Sequence, residues 1–176
     1  KITEDMNINV TEGTALDLSC YEDNSFDMTL VLGPLYHLYT ETDKKTAIEE
    51  ALRVTKKDGY IYIAYLTNDS VMLNYGLKKR HLLDKETFDE NYKFYDIPEE
   101  IFTTFYIEDF NKMMKNYPVD HITTVATDGL SAILRDYVNE LNEEEYKVWI
   151  DYHYKNCERK DLAGYSSHIL YIGKKR

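Results

Sequence analysis

The chain has 176 residues, 43% of them apolar and 30% charged, with a formal net charge of −11. That length and apolar share support one folded domain with a real core, and the charge disfavours general attraction to nucleic-acid backbone or to anionic membrane. Two widely separated cysteines, Cys20 and Cys157, lack metal-ligand spacing and point to a reducing cytoplasm; no apolar run approaches the ~20 residues of a membrane span.

The first residue is Lys1 rather than Met, and the expectation is a fragment, a processed product or a trimmed chain. In "NINVTEG", Ile8 and Val10 alternate with polar residues up to Gly13, which suits a short strand. "DMTLVLG" (27–33) is almost continuously apolar, as in a parallel strand covered on both faces. "ETDKKTAIEEALRVTKKDG" places Ala47, Ile48, Ala51 and Leu52 on one helical stripe, with Asp43 as the cap and Gly59 as the stop. The strand "YIYIAYL" (60–66) follows at once, so strand, helix and strand form a βαβ unit with parallel neighbours.

Residues 68–117 are rich in Tyr, Phe and acidic residues, with helices expected near 70–80 and 107–116. They read as a helical insertion, either packed or serving as a lid over a substrate site. After Pro118, "HITTVAT" (121–127) is strand-like. Helices follow near 129–140 and 142–158, the second opened by Asn142 with Glu145 at capping-box spacing. "SSHILYIGKK" closes the chain with a last strand.

The exit "GPLYHL" raises a functional question. Ligands of open α/β sheets collect at the carboxyl ends of parallel strands. Gly33 lets a backbone approach a ligand, Pro34 stiffens the exit, and Tyr36 and His37 then stand over the crevice. The other reading is an ordinary turn, with Tyr36 packed and His37 solvated. His153 and His168 are further histidine candidates. His168 comes near the crevice if the last strand runs antiparallel, because that strand's start then lies at the same end of the sheet.

The stretches "GTALDLSCYEDNSFDMTLVLGPLYHL" and "AIEEALRVTKKDGYIYIAYL" resemble the second half of a class I S-adenosylmethionine-dependent methyltransferase. Thr14-Ala15, Phe26-Asp27 and Arg53-Val54-Thr55-Lys56-Lys57-Asp58-Gly59 occupy the positions of that family's motifs. The resemblance implies an α/β, Rossmann-like sheet of order 3-2-1-4-5-7-6, N-terminally truncated, forming a single partial domain over 1–176 with 68–117 inserted. It implies S-adenosylmethionine as cofactor, held by Thr14, Ala15 and Leu16 at the adenine and by Leu32 and Gly33 at the methionine part. Tyr36 and His37 are then the catalytic candidates, His37 as general base because imidazole as a side-chain type titrates near neutrality. Thr14 stands where many relatives carry Asp, which shifts adenine recognition to backbone groups around Ala15 and Leu16. No glycine-rich GxGxG turn and no ribose-binding acid match, so the chain is expected to be inactive alone.

The implied substrate is a small molecule, since the acidic balance leans away from nucleic acid. The strand at 27–33 is expected at a sheet edge, favouring a homodimer. Two other classes stay open: another nucleotide-binding α/β enzyme, and a non-enzymatic interaction module with Tyr92, Phe94, Tyr95, Phe102, Phe105 and Tyr106 forming a partner groove.

Overall fold

The computed structural model describes residues 8–84, 86–95 and 102–176. Its centre is a four-stranded sheet made of β1 (Phe26–Leu32), β2 (Thr55–Leu66), β3 (Val119–Ala126) and β4 (His168–Lys175), in spatial order β1-β2-β4-β3. β1 and β2 are parallel, whereas β4 runs antiparallel to both β2 and β3. The order matches the 4-5-7-6 half of the expected sheet, and the antiparallel last strand is the condition that carries His168 to the crevice.

α1 (Glu41–Val54) connects the two parallel strands. Its cap is Thr40, whose hydroxyl accepts from the Asp43 amide at 3.0 Å, so Asp43 lies in the first turn rather than at the cap. Gly59 is not the helix stop either. The helix passes straight into β2 at Thr55, whose hydroxyl donates to the Ala51 carbonyl at 2.6 Å. The Asp58-Gly59 pair instead serves an irregularity of the ladder: pairing jumps from Phe26↔Thr55 to Met28↔Tyr60, and Asp58 adopts φ 63°. A Cβ on Gly59 would lie 2.9 Å from the Asp27 carbonyl, so only glycine fits that approach.

The expected strand at 8–13 does not form. Ile8 and Val10 are exposed and no ladder partner lies beside them among the described residues, and alternation without a neighbouring strand has nothing to bury against. The 68–117 segment divides in two. α2 (Asn68–Val71) runs into a π-helical turn over Met72–Lys78, while α3 (Ile107–Met114) buries Phe110 and Met114 in the main core. α4 (Arg135–Asn139), α5 (Glu143–Asn156) and α6 (Lys160–Ala163) fill the connection from β3 to β4. α5 opens on a complete capping box between Asn142 and Glu145.

The core lies on one face of the sheet. Val31, Ile61, Ile63, Tyr65, Ile169 and Tyr171 pack there beneath Ala47, Ile48, Ala51 and Leu52 of α1 and Phe110 and Met114 of α3. Among the described residues, no helix is long and apolar enough to cross a membrane.

Candidate active site

The site is built where β1 and β2 end and β4 begins. β1 stops at Leu32, and Gly33 turns with φ 137° into a short 3₁₀ helix over Pro34–Tyr36. That φ is strongly biased to glycine. A Cβ at Gly33 would sit 3.5 Å from the Tyr36 hydroxyl, so the missing side chain leaves room beside the Tyr36 phenol. Leu35 is fully buried and anchors the turn, which leaves Tyr36 half-buried and His37 exposed.

The turn is tied to the segment after the insertion. The Thr103 amide donates to the Tyr36 carbonyl at 2.9 Å, and its hydroxyl donates to the Leu35 carbonyl at 3.0 Å. Phe102 thereby comes within 5.8 Å of Tyr36 and 5.2 Å of His37, ring centre to ring centre. His168 stands edge-on to Tyr36 at 6.2 Å. Four rings from three distant parts of the chain therefore meet at one end of the sheet.

The end of β2 is held by Thr67 and Asn68. The Thr67 hydroxyl donates to the Ser166 carbonyl at 2.7 Å, fixing the start of β4. Buried Asn68 accepts from the Phe94 amide at 2.7 Å and donates to the Tyr92 carbonyl at 3.0 Å and the Tyr106 hydroxyl at 3.1 Å. One side chain thus fastens the insertion to the rim of the crevice.

Asp128, just past β3, was not among the residues singled out from sequence. Its Oδ1 accepts from the Ser167 amide at 2.8 Å, from the His168 amide at 3.2 Å, and from the Ser166 hydroxyl. Its Oδ2 lies 3.2 Å from His168 Nδ1. Burial opposes charge on Asp128, but the hydrogen bonds from His168 and Ser166 outweigh it and hold the carboxyl below the ordinary aspartate range.

The adenine candidates sit on the loop before β1. The Leu16 amide donates to Thr14 Oγ1 at 3.2 Å, and Ala15 and Leu16 pack against the cluster that contains Val31 and Leu35. Arg53 of α1 secures this loop by donating to the Leu18 carbonyl at 2.9 Å, the Tyr21 carbonyl at 3.0 Å, and the carboxylates of Glu50 and Asp23. An open groove of about 570 Å³ runs between the loop and α1, with Leu16, Asp17, Glu50 and Arg53 on its walls. Ala15 and Leu16 thus flank the same core as the β1 exit, Thr14 beside them is exposed, and Tyr36 and His37 join the ring cluster. His153 lies on α5 beside Gly129. Among the described residues, no group of three or more His, Cys, Asp and Glu side chains is placed to hold a metal ion.

Comparison with known proteins finds a family match over part of the chain and structures of the same fold. Residues 1–63 match the family model described as a methyltransferase domain. A SAM-dependent methyltransferase of Thermotoga maritima, described as a possible histamine N-methyltransferase, superposes with a TM-score of 0.56 at 19% identity, over 96% of this chain and 65% of that one. A SAM-dependent methyltransferase of Methanosarcina mazei gives 0.53 at 16% identity, over 93% and 65%. The 4+2 cyclase SpnF gives 0.51 at 13% identity, over 94% and 54%. The chain thus spans about two thirds or less of the length of these structures. No curated protein sequence matches it.

Proposed function

From a chain that has the Rossmann-like fold of the class I S-adenosylmethionine-dependent methyltransferases, with residues 1–63 matching the methyltransferase domain, we propose methyl transfer to a small-molecule acceptor. The observation that carries this reading is the β1 exit: a positive-φ glycine opens directly onto Tyr36, His37, Phe102 and His168 at the carboxyl ends of two parallel strands. The backbone of Leu32 and Gly33 receives the methionine part of the cofactor. Thr14, Ala15 and Leu16 receive the adenine, and because the Leu16 amide is engaged by Thr14 Oγ1, the hydrogen bond falls to the Ala15 amide. When bound, the cofactor supplies an electrophilic methyl group on a sulfonium. Tyr36 and His37 touch the acceptor, and the described residues 68–84, 86–95 and 102–105 form the cover, since α3 belongs to the core.

The carboxylates that surround the chain favour a neutral or cationic small acceptor over nucleic acid. The free cysteines Cys20 and Cys157 agree with a reducing cytoplasm. The sequence holds no glycine-rich turn, so this chain by itself binds the cofactor weakly and turns over little, and copies associate through β1. The cyclase among the structural relatives shows that the fold hosts other chemistry, so the reading must be tested on the site.

Protein-observed NMR of chain 1–176 with S-adenosylhomocysteine is that test. Millimolar ligand should shift the Ala15, Gly33 and Tyr36 amides, with the Gly33→Val variant folded but unresponsive. Absence of those shifts overturns the site assignment. Micromolar affinity by calorimetry overturns the expectation of weak binding.

A further inference from the structure

We propose that Asp128 and His168 form a proton-accepting pair, in which Asp128 holds the His168 proton on Nδ1 and presents a bare Nε2 to the crevice beside Tyr36. The proposal rests on the methyl-transfer reading for its substrate, and on geometry alone for the pair.

A carboxylate only accepts hydrogen bonds. An Nδ1 at 3.2 Å from Asp128 Oδ2 is therefore the protonated nitrogen, which leaves Nε2 with its lone pair. The direction follows from strand order. His168 begins β4, Asp128 follows β3 on one side of it, and Tyr36 follows β1 on the other. The imidazole is flanked by Asp128 through Nδ1 and by the edge-on Tyr36 ring at 6.2 Å, at the end of the sheet where Gly33 opens. The ring is half-exposed while its carboxylate partner is the more buried of the two, the arrangement of a reachable base with a shielded orienting group.

The aspartate is itself fixed from several directions. The Ser167 and His168 amides and the Ser166 hydroxyl all donate to Oδ1, leaving Oδ2 for the imidazole. Asp128 is a positioning residue. The role expected of His37 as proton acceptor passes to His168, and His37 remains a wall of the acceptor site.

The pair defines the class of acceptor: a nucleophile that carries a proton on the reacting atom, an amine N–H or a hydroxyl O–H. In the transfer, the acceptor's lone pair forms the bond to the methyl carbon as the carbon–sulfur bond breaks. That electron pair returns to sulfur, which leaves as a neutral thioether. The acceptor's proton passes to His168 Nε2, and the resulting imidazolium is balanced by the Asp128 carboxylate.

The test needs neither cofactor nor turnover. Nitrogen-15 NMR of the imidazole, on the alkaline side of neutrality, should show His168 as the Nδ1–H tautomer. In Asp128→Asn the Oδ1 acceptor for the backbone persists, but an amide NH₂ can replace the Oδ2 acceptor and drive the proton to Nε2. Diethyl pyrocarbonate, followed by peptide mapping, should modify His168 in the wild type and react about tenfold more slowly in Asp128→Asn. A wild-type Nε2–H tautomer, an averaged mixture like that of a free imidazole, or an unreactive His168 overturns the pair. His168→Gln serves as the mapping control and keeps the test valid if Asp128→Asn unfolds, because the wild-type tautomer and reactivity decide alone. Loss of the S-adenosylhomocysteine response with an intact Nδ1–H tautomer would instead sink the methyl-transfer reading and leave the pair standing.

Discussion

Apolar residues on the two faces of the sheet meet different surroundings, most of all where β1 lies. On the face beneath α1 and α3, Ile61 and Ile63 are 0% exposed. On the other face, Met28, Leu30 and Leu32 of β1 are 51%, 56% and 56% exposed, next to Tyr60 at 42%. Alternation in one strand sends Val31 to the first face and its neighbours Leu30 and Leu32 to the second. The contrast teaches that stability and association are divided between faces: the covered face holds the fold together, and the open face is available for contact.

The largest expected effect comes from breaking the covered face. Ile63→Ala removes buried methyl groups between α1 and the sheet, where surrounding side chains are already close-packed, and should cost about 2–5 kcal/mol. Chemical denaturation gives the number, and a loss within experimental scatter would show that the covered face is not the stabilising one.

A smaller effect tests the end of the sheet, where polar groups rather than methyl groups fasten the strands. The Asp128 carboxyl is depressed below its ordinary value of 3.8 by its hydrogen bonds. A depressed carboxyl contributes stability that is complete above its unfolded value and is lost as pH falls through the folded one. Wild-type stability should therefore fall as pH drops below about 4, more steeply than that of Asp128→Asn. Parallel acid-unfolding curves for the two proteins would show that Asp128 does not clamp the start of β4.

Much of this division was legible in the residues. The apolar runs of β1 and β2, the α1 stripe and the Asn142–Glu145 cap are local patterns that became elements, but the β1 run read as a strand covered on both faces, and Met28, Leu30 and Leu32 are exposed because cover is supplied by distant parts of a fold. The Gly33-Pro34 exit was legible for the same reason, since a glycine carries its backbone freedom with it. What failed was non-local. Ile8 and Val10 alternate correctly yet have no strand to pair with among the described residues, and Gly59 read as a stop because its close approach to Asp27 belongs to another strand. Asp128 was missed because its partner lies 40 residues away. The available signal was an aspartate ending one strand and a Ser-Ser-His opening the antiparallel strand beside it.

A subtler change sharpens the covered face. Tyr65 stacks on Phe110 at 4.0 Å and meets Phe105 edge-on, but its hydroxyl is buried without a partner among the described residues. The same desolvation pushes the phenol's ionisation well upward. Tyr65→Phe keeps the ring contacts and removes the stranded hydroxyl, so stability should stay level or rise by about 1 kcal/mol. A lower melting temperature would mean that the hydroxyl has a partner in solution, such as an ordered water.

The smallest change in stability should come from the open face, where it is paired with a change of state. Leu30→Lys alters a side chain that already meets solvent and should leave stability within about 0.5 kcal/mol. The outer edge of β1 has no strand beside it among the described residues, so its N–H and C=O groups form a template for another strand. A second copy of the chain is the occupant proposed for it. Two chains of net charge −11 repel, but β1 is a neutral place to meet, because its one charged residue, Asp27, is paired with Lys56 at 2.9 Å. Antiparallel pairing of β1 with itself about a two-fold axis would extend the sheet and bring Met28 and Leu30 of one copy towards those of the other. Light scattering at micromolar concentration should therefore find wild-type dimers and Leu30→Lys monomers of nearly equal stability. A wild-type monomer would refute association through β1, and a Leu30→Lys variant that unfolds would show that the open face bears on the fold after all.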